Sequence, residues 1–169
     1  PDDALKHLPN PIRAAIIGEA DAGLGAYIPN NPKTLLDYLH YHRAYKTPYE
    51  LAQMRKAQAK AVRGHQAAEQ AFRAHGSEAQ INAAFLAAAS HTDSDVPYNN
   101  IVALNENGAT LHYQYKSFNK PAHHRSLLID AGAEHNGYAA DITRTYGNGF
   151  ELFEQLISAV EKEQLALCA

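Results

Sequence analysis

The 169-residue sequence contains a single cysteine, Cys168, and no tryptophan. One cysteine excludes internal disulfide bonds and is typical of proteins in a reducing compartment, so we expect a cytoplasmic location. No apolar run approaches the roughly 20 residues that a membrane helix requires, and we expect no membrane partner. The net charge of -3 gives no reason to expect nucleic acid as a partner. The length suffices for one domain with a sizeable core.

The two ends of the sequence indicate a piece of a longer protein. The chain begins with Pro1 rather than with methionine. It stops at Cys168-Ala169, within a pattern that predicts a helix. We therefore expect further chain beyond the residues given.

The first third of the sequence predicts short elements. The apolar run 12–18, closed by Gly18, predicts a buried strand, and residues 26–28 predict a second strand. Between them, residues 21–24 predict a single helical turn, and residues 33–42 predict a helix. A strand, a helical turn and a strand are typical of the edge of an α/β layer.

Two longer helices are predicted next. A capping hydroxyl at Thr47, followed by Pro48, predicts a helix start, and that helix is expected to end near Ala74. Gly64 within it costs about 1 kcal/mol relative to alanine, so we expect close packing there. Ser77 is predicted to cap a second helix. The buried face predicted for the first helix comprises Leu51, Met54, Ala57, Ala61, Val62, His65, Ala68 and Phe72. His65 is predicted to be a core or boundary histidine.

A first hairpin is predicted after these helices. The apolar runs 101–104 and 109–113 flank the segment 105–108, which has the composition of a tight turn. His112 lies in the second run, on a strand that we expect to share a sheet with the next hairpin. A lone histidine on a strand usually has a structural role.

The second predicted hairpin carries two carboxylates. Asn136-Gly137 lies between apolar runs, and both residues tolerate the positive φ of a type I′ turn. Asp130 and Asp141 then share one face, either directly opposite, with Cβ atoms ~5 Å apart, or diagonal, at ~7–8 Å. A divalent cation would offset their repulsion. The structural alternative is that Asp130 starts the turn and Asp141 pairs with Arg144.

Several strings in the sequence resemble one enzyme family. From about Asp37 to Ala169 the chain is similar to the pita-bread metallopeptidases, specifically to bacterial Xaa-Pro dipeptidases (prolidases) in the branch that includes the organophosphorus acid anhydrolases. Residues 1–36 resemble the end of the family's N-terminal domain more weakly. The strings are Tyr41-His-Arg-Ala-Tyr-Lys-Thr47, Val96-Pro-Tyr-Asn-Asn-Ile-Val-Ala-Leu-Asn-Glu106, Leu111-His-Tyr113, Leu128-Ile-Asp-Ala-Gly-Ala133 and Asn136-Gly-Tyr-Ala-Ala-Asp-Ile-Thr-Arg-Thr145.

The resemblance implies an α+β fold in two parts. Residues 1–46 would be the end of an N-terminal α/β domain with its linker helix. Residues 47–169 would be the N-terminal half of a pita-bread (creatinase/aminopeptidase-like) catalytic domain, whose C-terminal half lies outside this chain. The resemblance also implies that the full-length protein is a homodimer.

The resemblance further implies a centre of two divalent metal ions held by two aspartates, one histidine and two glutamates. Asp130 and Asp141 match the two aspartates, and the remaining ligands belong to the half outside this chain. His112 matches a histidine that contacts the substrate or the reacting oxygen. Tyr98 and Leu111 match residues that line the substrate pocket. Carboxylate and imidazole ligands suit Mn²⁺, the expected metal.

The implied activity is hydrolysis of Xaa-Pro dipeptides, in which a hydroxide activated by the two metals attacks the carbonyl before proline. A side activity on the P–F or P–O bonds of organophosphorus compounds is expected, because a phosphoryl group resembles the tetrahedral intermediate. We expect the isolated fragment to be incomplete as an enzyme. The alternatives are a primary organophosphorus acid anhydrolase, a non-catalytic pita-bread module that binds partners, and a structural α/β fragment with an incidental hairpin.

Overall fold

The computed structural model describes residues 6–168, and the chain divides into two compact units, Pro1–Thr47 and Pro48–Ala169. None of the helices within 6–168 combines the length and apolar character needed to cross a membrane. The first unit contains helix α1 (Lys33–Ala44). The second contains α2 (Pro48–Arg73), α3 (Glu78–Ala89), β1 (Ile101–Leu104), β2 (Ser126–His135), β3 (Tyr138–Gly147) and α4 (Glu151–Cys168).

In the first unit the predicted helical elements form and the predicted strands do not. The turn appears as a 3-10 helix at Ala22–Leu24, and α1 covers the predicted helix. The predicted strands at 12–18 and 26–28 are wrong, since residues 11–13 form a 3-10 helix and the rest is irregular. The side chains of Asn30 and Asn31 accept hydrogen bonds from the backbone amides of residues 16 and 18, each at 3.0 Å. Side-chain amides thus replace a strand partner here.

Helices α2 and α3 begin as their capping residues predict. Helix α2 starts at Pro48, and Ser77 and Gln80 form a reciprocal capping box at the start of α3. Most of the predicted face of α2 is buried, but Leu51 and Val62 are 38% and 45% exposed. Gln53 and Gly64, which a hydrophobicity pattern does not select, are buried in addition. The buried set is Gln53, Ala57, Ala61, Gly64, His65, Ala68 and Phe72.

The close packing expected at Gly64 is confirmed. A Cβ atom on Gly64 would lie 2.6 Å from Cε2 of the Phe85 ring, and Phe85 is fully buried on α3. Real Cβ atoms do not approach a ring so closely, so glycine is what allows α2 and α3 to pack at this point. The lower helix propensity of glycine is therefore offset by tertiary contact.

Replacing Gly64 with alanine is expected to lower the free energy of unfolding by about 1–3 kcal/mol through overpacking. In an exposed helix the same change would stabilise the protein by roughly 1 kcal/mol. Denaturant unfolding of Gly64→Ala, Phe85→Leu and the double variant measures the effect. Because a leucine side chain in place of the Phe85 ring would leave room for the new methyl group, the double variant should cost less than the sum of the single costs. Strict additivity, or a stabilised Gly64→Ala variant, would contradict this packing.

The sheet is antiparallel in the order β1-β2-β3. Alternate residues of β2 point into the core, and Leu127 and Ile129 are fully buried with Phe72 and Ile81 of the two helices. The opposite face of β2 carries Asp130. A single layer of helices therefore covers one face of the sheet within the described residues and leaves the aspartate face outside that core.

Of the hairpin predicted at 101–113, only the first strand forms, and the prediction of a second strand is wrong. Residues 105–109 form a 3-10 helix, and 109–113 is not a strand. The cause lies at Asn105, which adopts a φ of 53°. Its side chain accepts a hydrogen bond from the Arg125 amide at 2.8 Å. The same side chain donates a hydrogen bond to the His123 carbonyl at 2.8 Å. The chain therefore leaves the sheet after β1, and β2 takes the place of the predicted partner strand.

Candidate metal centre

The hairpin that carries the two aspartates forms as predicted. Asn136 and Gly137 have φ values of 52° and 79°, as a type I′ turn requires. Gly132 pairs with Asp141, and Asp130 pairs with Thr143. Because paired residues and residues two apart share a face, the aspartates are diagonal neighbours on the same face.

Tyr98 lies between these two carboxylates. Its hydroxyl oxygen is 2.9 Å from Oδ1 of Asp130 and 2.8 Å from Oδ1 of Asp141. Burial is the largest cause that raises the pKa of Tyr98 far above its ordinary value, and the hydrogen bonds to Asp141 and Asp130 raise it further. The phenol is therefore neutral and acts as a donor, but its single proton serves only one carboxylate at a time.

Gly132 provides the space for Tyr98. A Cβ atom at this position would collide with the carbonyl oxygen of Ala140, and it would lie 2.7 Å from Cε1 of Tyr98 and 3.0 Å from Cγ of Pro97. The bare backbone of β2 thus lets the tyrosine ring lie directly over the strand, where its hydroxyl reaches both aspartates. The sequence alone does not reveal this role, because a glycine inside a strand gives no indication of which ring approaches it.

The two aspartates fit a cation. Asp130 is half-buried and Asp141 is exposed, and among the described ion pairs none joins either residue to a basic side chain. The Arg144 guanidinium instead donates to the Thr143 carbonyl at 2.8 Å. Two converging carboxylates with one shared proton donor retain net negative charge, which a divalent cation would balance. No group of three or more potential ligands occurs in residues 6–168, so this pair alone is an incomplete site.

His65 supports the sheet from the core side, and its prediction as a core or boundary histidine is confirmed. It is 5% exposed, and its Nε2 lies 3.1 Å from the carbonyl oxygen of Ala131, the residue after Asp130. A carbonyl only accepts, so Nε2 carries the proton. Burial is the main cause that lowers the pKa of His65, which keeps the ring neutral at neutral pH.

The other two predicted site residues lie on an irregular segment rather than on a strand. Leu111 is 92% exposed, and His112 is exposed with a φ of 52°. In the described part of the chain no hydrogen bond or ring contact joins either residue to Tyr98 or to the aspartates. The structure therefore brings together Tyr98, Asp130 and Asp141, and it places Leu111 and His112 at the tip of a separate loop.

The sequence of this chain matches a known protein family and a curated relative. The family model described as Metallopeptidase family M24 matches residues 52–169. A Xaa-Pro dipeptidase from Xanthomonas axonopodis pv. citri is 55% identical over 169 residues, which cover 99% of this chain and 38% of that protein. The chain thus spans less than two-fifths of the length of that curated relative.

Solved structures of aminopeptidase P have a fold similar to that of this chain. A variant of Escherichia coli aminopeptidase P superposes with a TM-score of 0.57 at 33% identity, over 65% of this chain and 25% of that chain. The zinc-substituted form of the same enzyme, in complex with product, gives 0.53 at 33% identity, over 61% and 23% of the two chains. The similarity confirms the predicted α+β, pita-bread architecture.

Proposed function

Because the chain belongs to metallopeptidase family M24, we propose that it is part of a metal-dependent hydrolase that cleaves Xaa-Pro dipeptides. The observation that carries the proposal is the placement of Asp130 and Asp141 on one face of a hairpin, where both reach the hydroxyl of Tyr98. The Xaa-Pro dipeptidase relative supports the choice of substrate. The complete activity requires the parts of the protein outside this chain.

Asp130 and Asp141 would hold two divalent metal ions together with one histidine and two glutamates supplied from outside this chain. We propose Mn²⁺, since oxygen and imidazole ligands suit it. When bound, the ions would supply Lewis acidity and an activated water for attack on the carbonyl that precedes proline.

The remaining residues of this chain would orient the carboxylates and the substrate. The hydroxyl of Tyr98 donates to one carboxylate and thereby fixes its rotamer, which leaves the other oxygens of the pair available as ligands. Leu111 would contact the apolar part of the dipeptide. His112 would hydrogen-bond to the substrate or to the oxygen that becomes negative during attack.

Three further properties belong to the same proposal. A side activity on P–F or P–O bonds of organophosphorus compounds would use the same carboxylates. A homodimer is proposed for the full-length protein, and the exposed rings of α1, including Tyr38 and Tyr41 at 60% exposure each, offer an aromatic surface for it. A cytoplasmic location is consistent with the single cysteine.

Removing metal from the complete protein is expected to abolish hydrolysis of an Ala-Pro dipeptide, and adding Mn²⁺ should restore it. The physical reason is that two carboxylates and a phenol supply no strong electrophile by themselves. Product release would be followed after dialysis against a chelator and after addition of Mn²⁺, with Ala-Ala as the matched substrate lacking proline. Full activity in the chelated protein, or equal rates on Ala-Pro and Ala-Ala, would refute the proposed function.

A further inference from the structure

Glu78 is a buried carboxylate with four hydrogen-bond donors around it. It is 1% exposed and lies at the start of α3. Its Oε1 accepts from the Leu104 amide and from Nδ2 of Asn107, each at 2.9 Å. Its Oε2 accepts from the Tyr113 hydroxyl and from the Ser117 amide, again at 2.9 Å each. No basic side chain forms an ion pair with it among the described residues, so hydrogen bonds alone compensate its charge.

All four donors come from one short stretch of chain. One donor lies directly before residues 105–117 and the other three lie within this segment. We call residues 105–117 the anchored loop. A further bond from the Ala79 amide to the Ser117 carbonyl, at 3.1 Å, closes its end. Burial, then the hydrogen bond to Glu78, raise the pKa of Tyr113 to about 12, so this phenol remains a donor at neutral pH. One side chain therefore holds both ends and the middle of the loop.

The tip of the anchored loop is exposed although its base is fixed. Leu111, a large apolar residue, is 92% exposed. His112 next to it adopts a left-handed φ of 52°, a conformation that is uncommon for residues other than glycine, although histidine adopts it more often than most. Strain of this kind persists only where the surrounding structure enforces it, and it is concentrated at sites that bind ligands. The bonds that Glu78 accepts from Asn107 and Tyr113 anchor the chain on either side of His112.

We propose that Glu78 is a positioning residue for substrate binding, because it fixes the anchored loop so that Leu111 and His112 are presented to the dipeptide. This inference rests on the proposed function, in which those two residues contact the substrate. Glu78 itself does not touch the substrate. Its role is to remove the conformational freedom that the loop tip would otherwise lose on binding.

Glu78→Gln in the complete protein is the direct test. The amide is nearly isosteric, but its NH2 group would face two donors in either orientation. The Tyr113 hydroxyl could rotate to accept from it whereas the N–H groups could not, so at least one hydrogen bond must break. We expect KM for Ala-Pro to rise by about tenfold, since loop order contributes to binding. The change in kcat should stay below about threefold if His112 binds the substrate, and should be larger if His112 contacts the oxygen that becomes negative during attack. Hydrogen exchange of residues 105–117 should accelerate by about tenfold or more, while residues 126–147 exchange as in the wild type.

Two further variants separate positioning from general stability. Ser77→Ala removes the capping box from the same helix but leaves the donors of Glu78 intact, so KM should stay at the wild-type value. Tyr113→Phe removes one donor and should give an intermediate KM, and it decides the question if Glu78→Gln fails to fold. A loss of folded protein alone would lower the apparent kcat and leave KM unchanged.

The outcomes distinguish the two proposals. A wild-type protein that does not hydrolyse Ala-Pro would refute the proposed function. An active wild type with wild-type KM in both Glu78→Gln and Tyr113→Phe would overturn the positioning role only. Faster exchange in the anchored loop without any change in KM would also overturn it, because Glu78 would then be a purely structural anchor.

Discussion

Replacing either Asp130 or Asp141 with asparagine is expected to reduce Ala-Pro hydrolysis by the complete protein by on the order of a thousandfold or more. Each change removes one carboxylate, the proposed metal ligand, from a pair that the structure holds around the hydroxyl of Tyr98. The shape of the side chain is preserved, so the loss would report ligand charge rather than packing. Steady-state kinetics with saturating Mn²⁺, together with metal analysis of the purified variants, measures both rate and metal content.

Asp93→Asn is the matched control for these two variants. Asp93 is an exposed aspartate whose described contact is a long one, 3.5 Å from Nδ2 of Asn82. The same chemical change there should leave hydrolysis and metal content at wild-type levels. Full activity in Asp130→Asn or Asp141→Asn would remove these residues from the metal centre, even if the family assignment stands.

Gly132→Ala is expected to destabilise the protein by about 2–4 kcal/mol and to lower metal affinity as well. The added methyl group collides with the Ala140 carbonyl on the paired strand and with the ring of Tyr98. Relief of these contacts requires the hairpin to open or the tyrosine to move, and either motion separates the hydroxyl from the aspartates. Denaturant unfolding and a Mn²⁺ titration by calorimetry would report the two effects separately.

Gly108→Ala provides the comparison for Gly132→Ala. A Cβ atom at Gly108 would have its nearest neighbour, Cβ of Leu128, at 3.6 Å, an ordinary van der Waals contact. This variant should stay within about 1 kcal/mol of the wild type. Equal stability and equal metal affinity in the two variants would show that Gly132 is not needed for the approach of Tyr98.

The sequence predicted the parts of this fold that depend on local chemistry. The helix cap at Ser77, the start of α2 at Pro48 and the Asn136-Gly137 turn all rest on residues that act within four positions of one another. The placement of Asp130 and Asp141 on one face followed from the turn and from strand alternation alone. Whether the two aspartates lie directly opposite or diagonal depends on the pairing register of β2 and β3. That register changes with the choice of the two residues at the centre of the turn, which the sequence left open.

The features that the sequence did not predict depend on distant partners. The strand expected at 109–113 is absent because Asn105 binds the backbone at residues 123 and 125, a contact that no local pattern encodes. The burial of Glu78 was also missed, because an acid in the first turn of a helix is usually explained by the helix dipole. The roles of Tyr98, Leu111 and His112 came from family resemblance, and of these only the hydroxyl of Tyr98 reaches the aspartates in the structure.

The two-residue turn between β2 and β3 has a kinetic consequence. Hairpins joined by such turns close within roughly 1–10 μs, because little chain entropy is lost. Strand β1, by contrast, must find β2 across the loop 105–125, and Tyr98 arrives with it. We therefore expect the two carboxylates to meet early in folding, before their proton donor is in place, and their mutual repulsion to slow hairpin closure. A divalent cation would screen that repulsion, so we expect this hairpin to refold faster when the cation is present.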